Sequence, residues 1–189
     1  MPSRAFTVHL RQLLLDADDL YEARRHLKTA RRGRQLRFAL NRAAVVMSMS
    51  AWESYVEELM RESAQALRPT APPFATWEVL NNHVNAQARG FHTPNTENVV
   101  RLIANCTGLA SVNNSWLWSS CTPAQAAQRL NEAMRHRHEI AHGVNPRPPI
   151  HNYYSTDLPE FVRQLARCTD VAVRNHLTTV HGVPHPWPL

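Results

Sequence analysis

The residues best suited to chemistry lie in one stretch, Arg135-His136-Arg137-His138-Glu139-Ile140-Ala141-His142, where two arginines, three histidines and a glutamate occupy eight consecutive positions. Leu130, Met134 and Ala141 give the segment an apolar edge at helical spacing, so it reads as a helix. Gly143 ends that helix, and Asn145-Pro146 bars its continuation. A buried structural helix does not carry ionisable groups at this density unless they are paired or solvated. The stretch is therefore a site or a solvated face.

Arginine supplies a cation for a phosphate, and imidazole moves protons near neutral pH. Together they can cleave RNA without a metal. The imidazole takes the 2′-hydroxyl proton or gives one to the leaving oxygen, and arginine stabilises the phosphorane charge. Arg135 and His142 share a helix face, and so do His138 and His142. Arg137 and His142 lie about 140° apart around a helix, so both reach one substrate only in a groove or at an interface. The same letters also spell a rival. His138-Glu139-Ile140-Ala141-His142 matches H-E-x-x-H, with Glu139 as the general base of a zinc protease. Against it, Asn145 and Pro148 stand where the longer motif needs glycine and histidine. Glu160 is the available third ligand, and Arg135 and Arg137 oppose a dication. No metal and no other cofactor is expected. A charged helix face without chemistry is the third reading.

The net charge of +6 favours an anionic partner, nucleic acid first and an acidic membrane surface second. The densest basic run is Arg24, Arg25, Lys28, Arg31, Arg32, Arg34 and Arg37, with His26 among them. It is a phosphate-attracting patch, in which Arg31, Arg32 and Arg34 bind RNA, or else a solvated helix end. Cys106, Cys121 and Cys168 are odd in number and widely spaced, which suits neither a disulfide framework nor a thiolate zinc site. The chain shows no apolar signal core and no apolar run long enough to span a bilayer. These features predict a soluble, cytoplasmic protein that does not bind membranes.

The elements that must position the motif are helices. A chain of 189 residues with 43% hydrophobic content supports one domain, here 1–182, with a proline-rich tail at 183–189 that orders only if it docks. Phe6, Leu10, Leu13, Leu14, Ala17, Leu20 and Tyr21 predict a first helix over 4–29, broken near Gly33. A long helix follows over 35–67. Leu36, Leu40, Ala44, Met47, Ala51, Tyr55 and Leu59 form its buried stripe, and Pro69, Pro72 and Pro73 stop it. Within it Glu53 sits between apolar and aromatic residues, unlike Glu57 and Glu58, and faces either a cleft or a salt bridge on a solvated edge. Shorter helices are expected over 76–88, with Thr76 as cap, and from about 97 to Gly108. Trp116 and Trp118 lie in a loop, as core plugs or as base-stacking platforms. Thr122 and Pro123 open the motif helix, and Thr156 or Asp157 caps a final helix to about His181. The sum is an all-α bundle of two long antiparallel helices, a site helix and a C-terminal helix.

The motif resembles the arginine, four-to-six residues, histidine signature of HEPN domains. Three further stretches, in order, are similar to the RiboL-PSP branch: Ser50-Ala-Trp52-Glu53-Ser-Tyr55-Val-Glu57, Phe91-His-Thr-Pro94-Asn, and Trp116. The resemblance implies a helical bundle that dimerises, so that two motifs form one composite cleft. It implies a metal-independent endoribonuclease acting as a toxin or antiphage defence effector, with an antitoxin or defence-system partner. Arg137 and His142 match its catalytic pair, His138 occupies the polar position after the arginine, and Glu53 matches a supporting acid. Arg135 fits the arginine spacing at its upper limit and is read as RNA-binding. Val144 stands where some members carry a modifiable tyrosine. Some HEPN domains do not cut, so the alternative is a non-catalytic module binding RNA, a nucleotide or a partner protein.

Overall fold

The computed structural model describes residues 1–27, 31–144, 150 and 152–187, with the side chains of 31, 32 and 152–155 left aside. A short π-helical turn, Ala5–Leu10, runs into α1 (Arg11–Arg25). Then follow α2 (Arg31–Ala66), α3 (Ala75–Arg89), α4 (Thr96–Thr107), α5 (Pro123–Ala141) and α6 (Asn152–Thr179). Among the described residues the only β pairing is an isolated bridge between Trp118 and Cys121, so the fold is all-α. No helix of the described residues is long and apolar enough to cross a membrane.

α2 is the axis of the bundle. Val45, Met49, Trp52, Val56, Leu59 and Met60 are buried along it and share one core with Leu10 and Leu14 and with Leu158, Val162 and Leu165 of α6. Trp52 stacks on Tyr55 at 5.6 Å and meets Trp116 edge-on at 6.4 Å. Trp116 is fully buried and donates its indole N–H to Thr169 Oγ1 at 2.9 Å, so it is a core plug and no stacking platform. Tyr55 donates to the Ala166 carbonyl at 2.8 Å, which fixes α6 against α2.

The two ends of α1 show its direction. The backbone N–H groups of Arg4 and Ala5 donate to the Glu62 carboxylate near the C-terminal end of α2, while Arg37 near its start donates to the Leu27 carbonyl. α1 and α2 are therefore antiparallel. Ser3 is buried and bonds Asp170 of α6, which pins the start of the chain to the opposite wall. Burial pushes the Asp170 carboxyl up, and the Ser3 hydrogen bonds partly offset that rise.

Four expectations need correction. Gly33 does not break the chain; it lies in the first turn of α2, which begins at Arg31. Leu36 is 45% exposed and stands outside the buried stripe. α3 begins at Ala75 after Phe74, without a side-chain cap from Thr76. α6 begins at Asn152 and carries Pro159 inside it. The Thr156 hydroxyl donates to the Asp157 side chain, so this pair does not cap a helix. Lys28 and the linker 146–149 lie outside the described residues. In the tail, Pro186 and Trp187 are buried, and Trp187 joins the main core.

Candidate active site

Helix α5 is set by its own sequence. Thr122 accepts from Gln125 N while the Gln125 side chain accepts from Thr122 N, a closed capping box, and Pro123 fills the first helical position. Ala126, Leu130, Ala133 and Met134 bury one face. At the far end the Gly143 φ of 71° turns the chain away, and Val144 N donates to the Glu139 carbonyl at 2.8 Å. The motif therefore occupies the last two turns of a helix whose C-terminus is sharply closed.

Within those turns the charged side chains divide into two sets. Arg135, Glu139, His136 and Glu132 form a chain along one face. Arg135 lies 2.9 Å from Glu139, and His136 lies 3.4 Å from Glu139 and 3.8 Å from Glu132. His136 is buried there, and Arg135 stands at the surface. The other set leaves the helix. Arg137 reaches across to α2, where its Nη2 donates to Glu53 Oε2 at 3.3 Å. His138 and His142 lie one above the other, ring centroids 4.3 Å apart, both exposed. Among the described residues neither of these two rings has a hydrogen bond or an ion pair.

Glu53 is half-buried on α2 beside Trp52. Burial pushes its carboxyl up from the ordinary glutamate value, the Arg137 guanidinium opposes that rise, Glu57 adds to it, and His92 opposes it. His92 was not among the expected site residues. Its stretch, Phe91-His-Thr-Pro94-Asn, stood out only through the family resemblance, and no spacing within it assigns the histidine to a site. The tertiary signal is that Trp52 donates its indole N–H to the Pro94 carbonyl at 3.0 Å, which holds the α3–α4 loop against the helix that carries Glu53.

The zinc arrangement does not assemble. Among the described residues no group of three or more His, Cys, Asp or Glu side chains is arranged to hold a metal ion. Glu139 spends both carboxylate oxygens on Arg135 and His136, and Glu160 pairs with Arg163 and Gln164 of its own helix. The basic run also separates. Arg37 is structural, Arg25 pairs with Glu22 at 3.2 Å, and Arg34 is exposed. The Arg31 and Arg32 side chains lie outside the described residues.

A family model described as RiboL-PSP-HEPN matches residues 14–175. The chain belongs to the HEPN superfamily. The match takes in α2, the α3–α4 loop, Trp116 and the whole of α5, and so both Glu53 and Arg137. Comparisons with curated proteins and with solved structures return no match. The protein is thus a HEPN module, of a kind that is often a ribonuclease.

Proposed function

We propose that this HEPN domain is a metal-independent endoribonuclease, acting as a toxin or antiphage defence effector. The observation that carries the reading is the end of α5. Two exposed imidazoles, His138 and His142, touch each other and make no hydrogen bond or ion pair among the described residues, and they follow by one and five positions an arginine that Glu53 already orients. In the reaction the 2′-oxygen attacks the adjacent phosphorus, and the bond to the 5′-oxygen breaks. One fragment ends in a 2′,3′-cyclic phosphate and the other in a 5′-hydroxyl. His142 carries the proton, Arg137 stabilises the charge of the phosphorane, and His138 flanks the imidazole it touches. Glu53 holds the guanidinium in place.

Arg137 and His142 point from different sides of α5, so a second copy of the chain completes the cleft. A groove of about 490 Å³ next to His142 supports this, lined mostly by apolar residues, Ala43, Val46 and Met47 of α2 with Ile140 and Val144, and by the charged Arg42. Val144 of its wall is more than half exposed, and so is Phe38, one position before the groove residue Ala39. Apolar side chains gathered next to a polar site are what a partner subunit would cover.

The test is incubation of the purified protein with mixed cellular RNA. His142→Ala and Arg137→Ala should each abolish cleavage, chelator should leave it intact, and the products should carry cyclic phosphate ends. Glu139→Gln should be mild, because Glu139 only ties Arg135 and His136 together. Chelator-sensitive activity in which Glu139→Gln is as damaging as His142→Ala would overturn the reading in favour of a metal site. The Arg137–Glu53 pair favours a second reading, a non-catalytic HEPN module, since it satisfies the arginine without any substrate. RNA binding without cleavage in the wild type would decide for that one.

A further inference from the structure

The loop between α3 and α4 ends in a small polar recess that the motif does not use. Its volume is about 180 Å³, and its polar walls are Gln87, His92, Thr93, Asn98 and Arg101. It is rigidly built. Phe91 in its wall and Pro94 in the same loop are buried, and Asn98 donates to the Thr93 carbonyl at 2.8 Å. Asn95 caps α4 by accepting from Asn98 N at 2.9 Å. Thr96 then ties the start of α4 to α5, through Asn131 at 3.0 Å and the Ala127 carbonyl at 3.1 Å. Asn131 lies six residues before Arg137 on α5, about 9 Å along its axis.

One residue ties the recess to the candidate site. His92 lines it, and the loop that carries His92 is held to α2 by the Trp52–Pro94 hydrogen bond, next to Glu53, whose carboxyl His92 influences. Arg101 stands at the rim, mostly exposed. It is steadied by Asn98 and lies 3.6 Å from Glu97, itself a solvated side chain. A guanidinium has five N–H groups, so these contacts orient Arg101 and leave donors for a ligand. The size decides what fits. Sites for whole drug-sized ligands occupy about 300–1,000 Å³, so this recess takes a single small group. Donors from a guanidinium, an imidazole and an amide, around such a volume, match a phosphate.

We propose that this recess is a subsite for an RNA phosphate flanking the scissile one, bound by Arg101 and His92. It rests on the ribonuclease reading and adds the path of the substrate to it. The strand would run from the His138–His142 pair past Arg137 toward the start of α4. His92 is then a specificity-determining residue, which touches the substrate next to the reacting group.

The experiment compares the full-length wild type with Arg101→Gln, His92→Ala and, as a control for general charge, Arg167→Gln on the exposed side of α6. Binding of a short single-stranded RNA is measured by fluorescence anisotropy across a range of salt, and cleavage of the same RNA is followed for KM and kcat. Arg101→Gln should weaken binding about tenfold and lower the salt slope by about one. His92→Ala should raise KM with kcat within a few-fold of wild type, and Arg167→Gln should change neither. Melting temperatures should stay level, because Arg101 and His92 are exposed. Wild-type affinity and KM in both Arg101→Gln and His92→Ala would overturn the subsite while leaving the ribonuclease standing. An equal loss in Arg167→Gln would overturn it too, as a general charge effect. A wild type that binds RNA and does not cut would instead overturn the ribonuclease, and the affinities alone would then decide the subsite.

Discussion

Glu53 has a neighbour of each sign and a half-buried position, and burial is the largest influence on its carboxyl. The sign of the consequence follows. In the folded chain Glu53 holds its proton more tightly than in the unfolded chain, where the ordinary value is 4.5. Its contribution to stability is therefore fully present below that value and is lost as pH rises through the raised one. Glu53→Gln cannot ionise. Its melting temperature relative to wild type should rise between about pH 4 and pH 7, as the wild type loses this contribution. A constant difference across that range would show that Arg137 fully offsets the burial. In cleavage the same variant should be impaired, because Arg137 loses the partner that orients it. Cys106 stands apart from this chemistry. Burial pushes its thiol up to about 11, which keeps it protonated and unreactive at neutral pH.

At the scale of elements, the α3–α4 loop is held to α2 by a side-chain hydrogen bond from Trp52 to the Pro94 carbonyl. Trp52→Phe keeps an aromatic ring in the core but leaves that buried carbonyl without its donor. The cost should be about 2 kcal/mol, from the lost hydrogen bond and the smaller ring. Urea unfolding measures it directly, and an unchanged midpoint would mean that the loop is held by packing alone. Helix α5 has the opposite character. Its capping box, Pro123 and the left-handed Gly143 are all local, so its ends are secure before any neighbour packs against it. That suits a helix that must present two exposed imidazoles at a fixed height.

For the whole molecule, the apolar groove beside His142 and the exposed Phe38 predict that the working unit is a dimer. Sedimentation at micromolar concentration should show it. Phe38→Glu should give a folded monomer, with its melting temperature kept and its cleavage lost. A wild-type monomer that cuts RNA would rule out a cleft shared between copies. The net charge of +6 adds a second expectation, that RNA binding falls steeply with salt. Changing Arg31, Arg32 and Arg34 together to alanine should flatten that slope. An unchanged slope would leave the start of α2 as a solvated surface.

What the sequence alone determined was mostly local. Gly108 ends α4, Thr122-Pro123 opens α5 and Pro69 follows the end of α2, because caps, prolines and a left-handed glycine act within a few residues of themselves. The face shared by His138 and His142 was legible for the same reason, since four-residue spacing is a property of one helix. Where local signals failed, longer contacts outweighed them. A glycine costs a helix about 1 kcal/mol, and Gly33 is carried because α2 packs along its length and Arg37 ties its start to Leu27. Thr156 and Asp157 look like a cap but bond each other, inside a helix that starts earlier. The site needed the tertiary structure most. Whether Glu53 faced a cleft or a solvated edge was open until α2 packed beside α5 and set it against Arg137, 84 positions away. The stretch around His92 showed a family likeness but nothing that set it beside Glu53; its loop lies against α2 because Trp52 holds the Pro94 carbonyl there. Such contacts depend on the relative placement of whole helices, which side-chain spacing along a single helix does not encode.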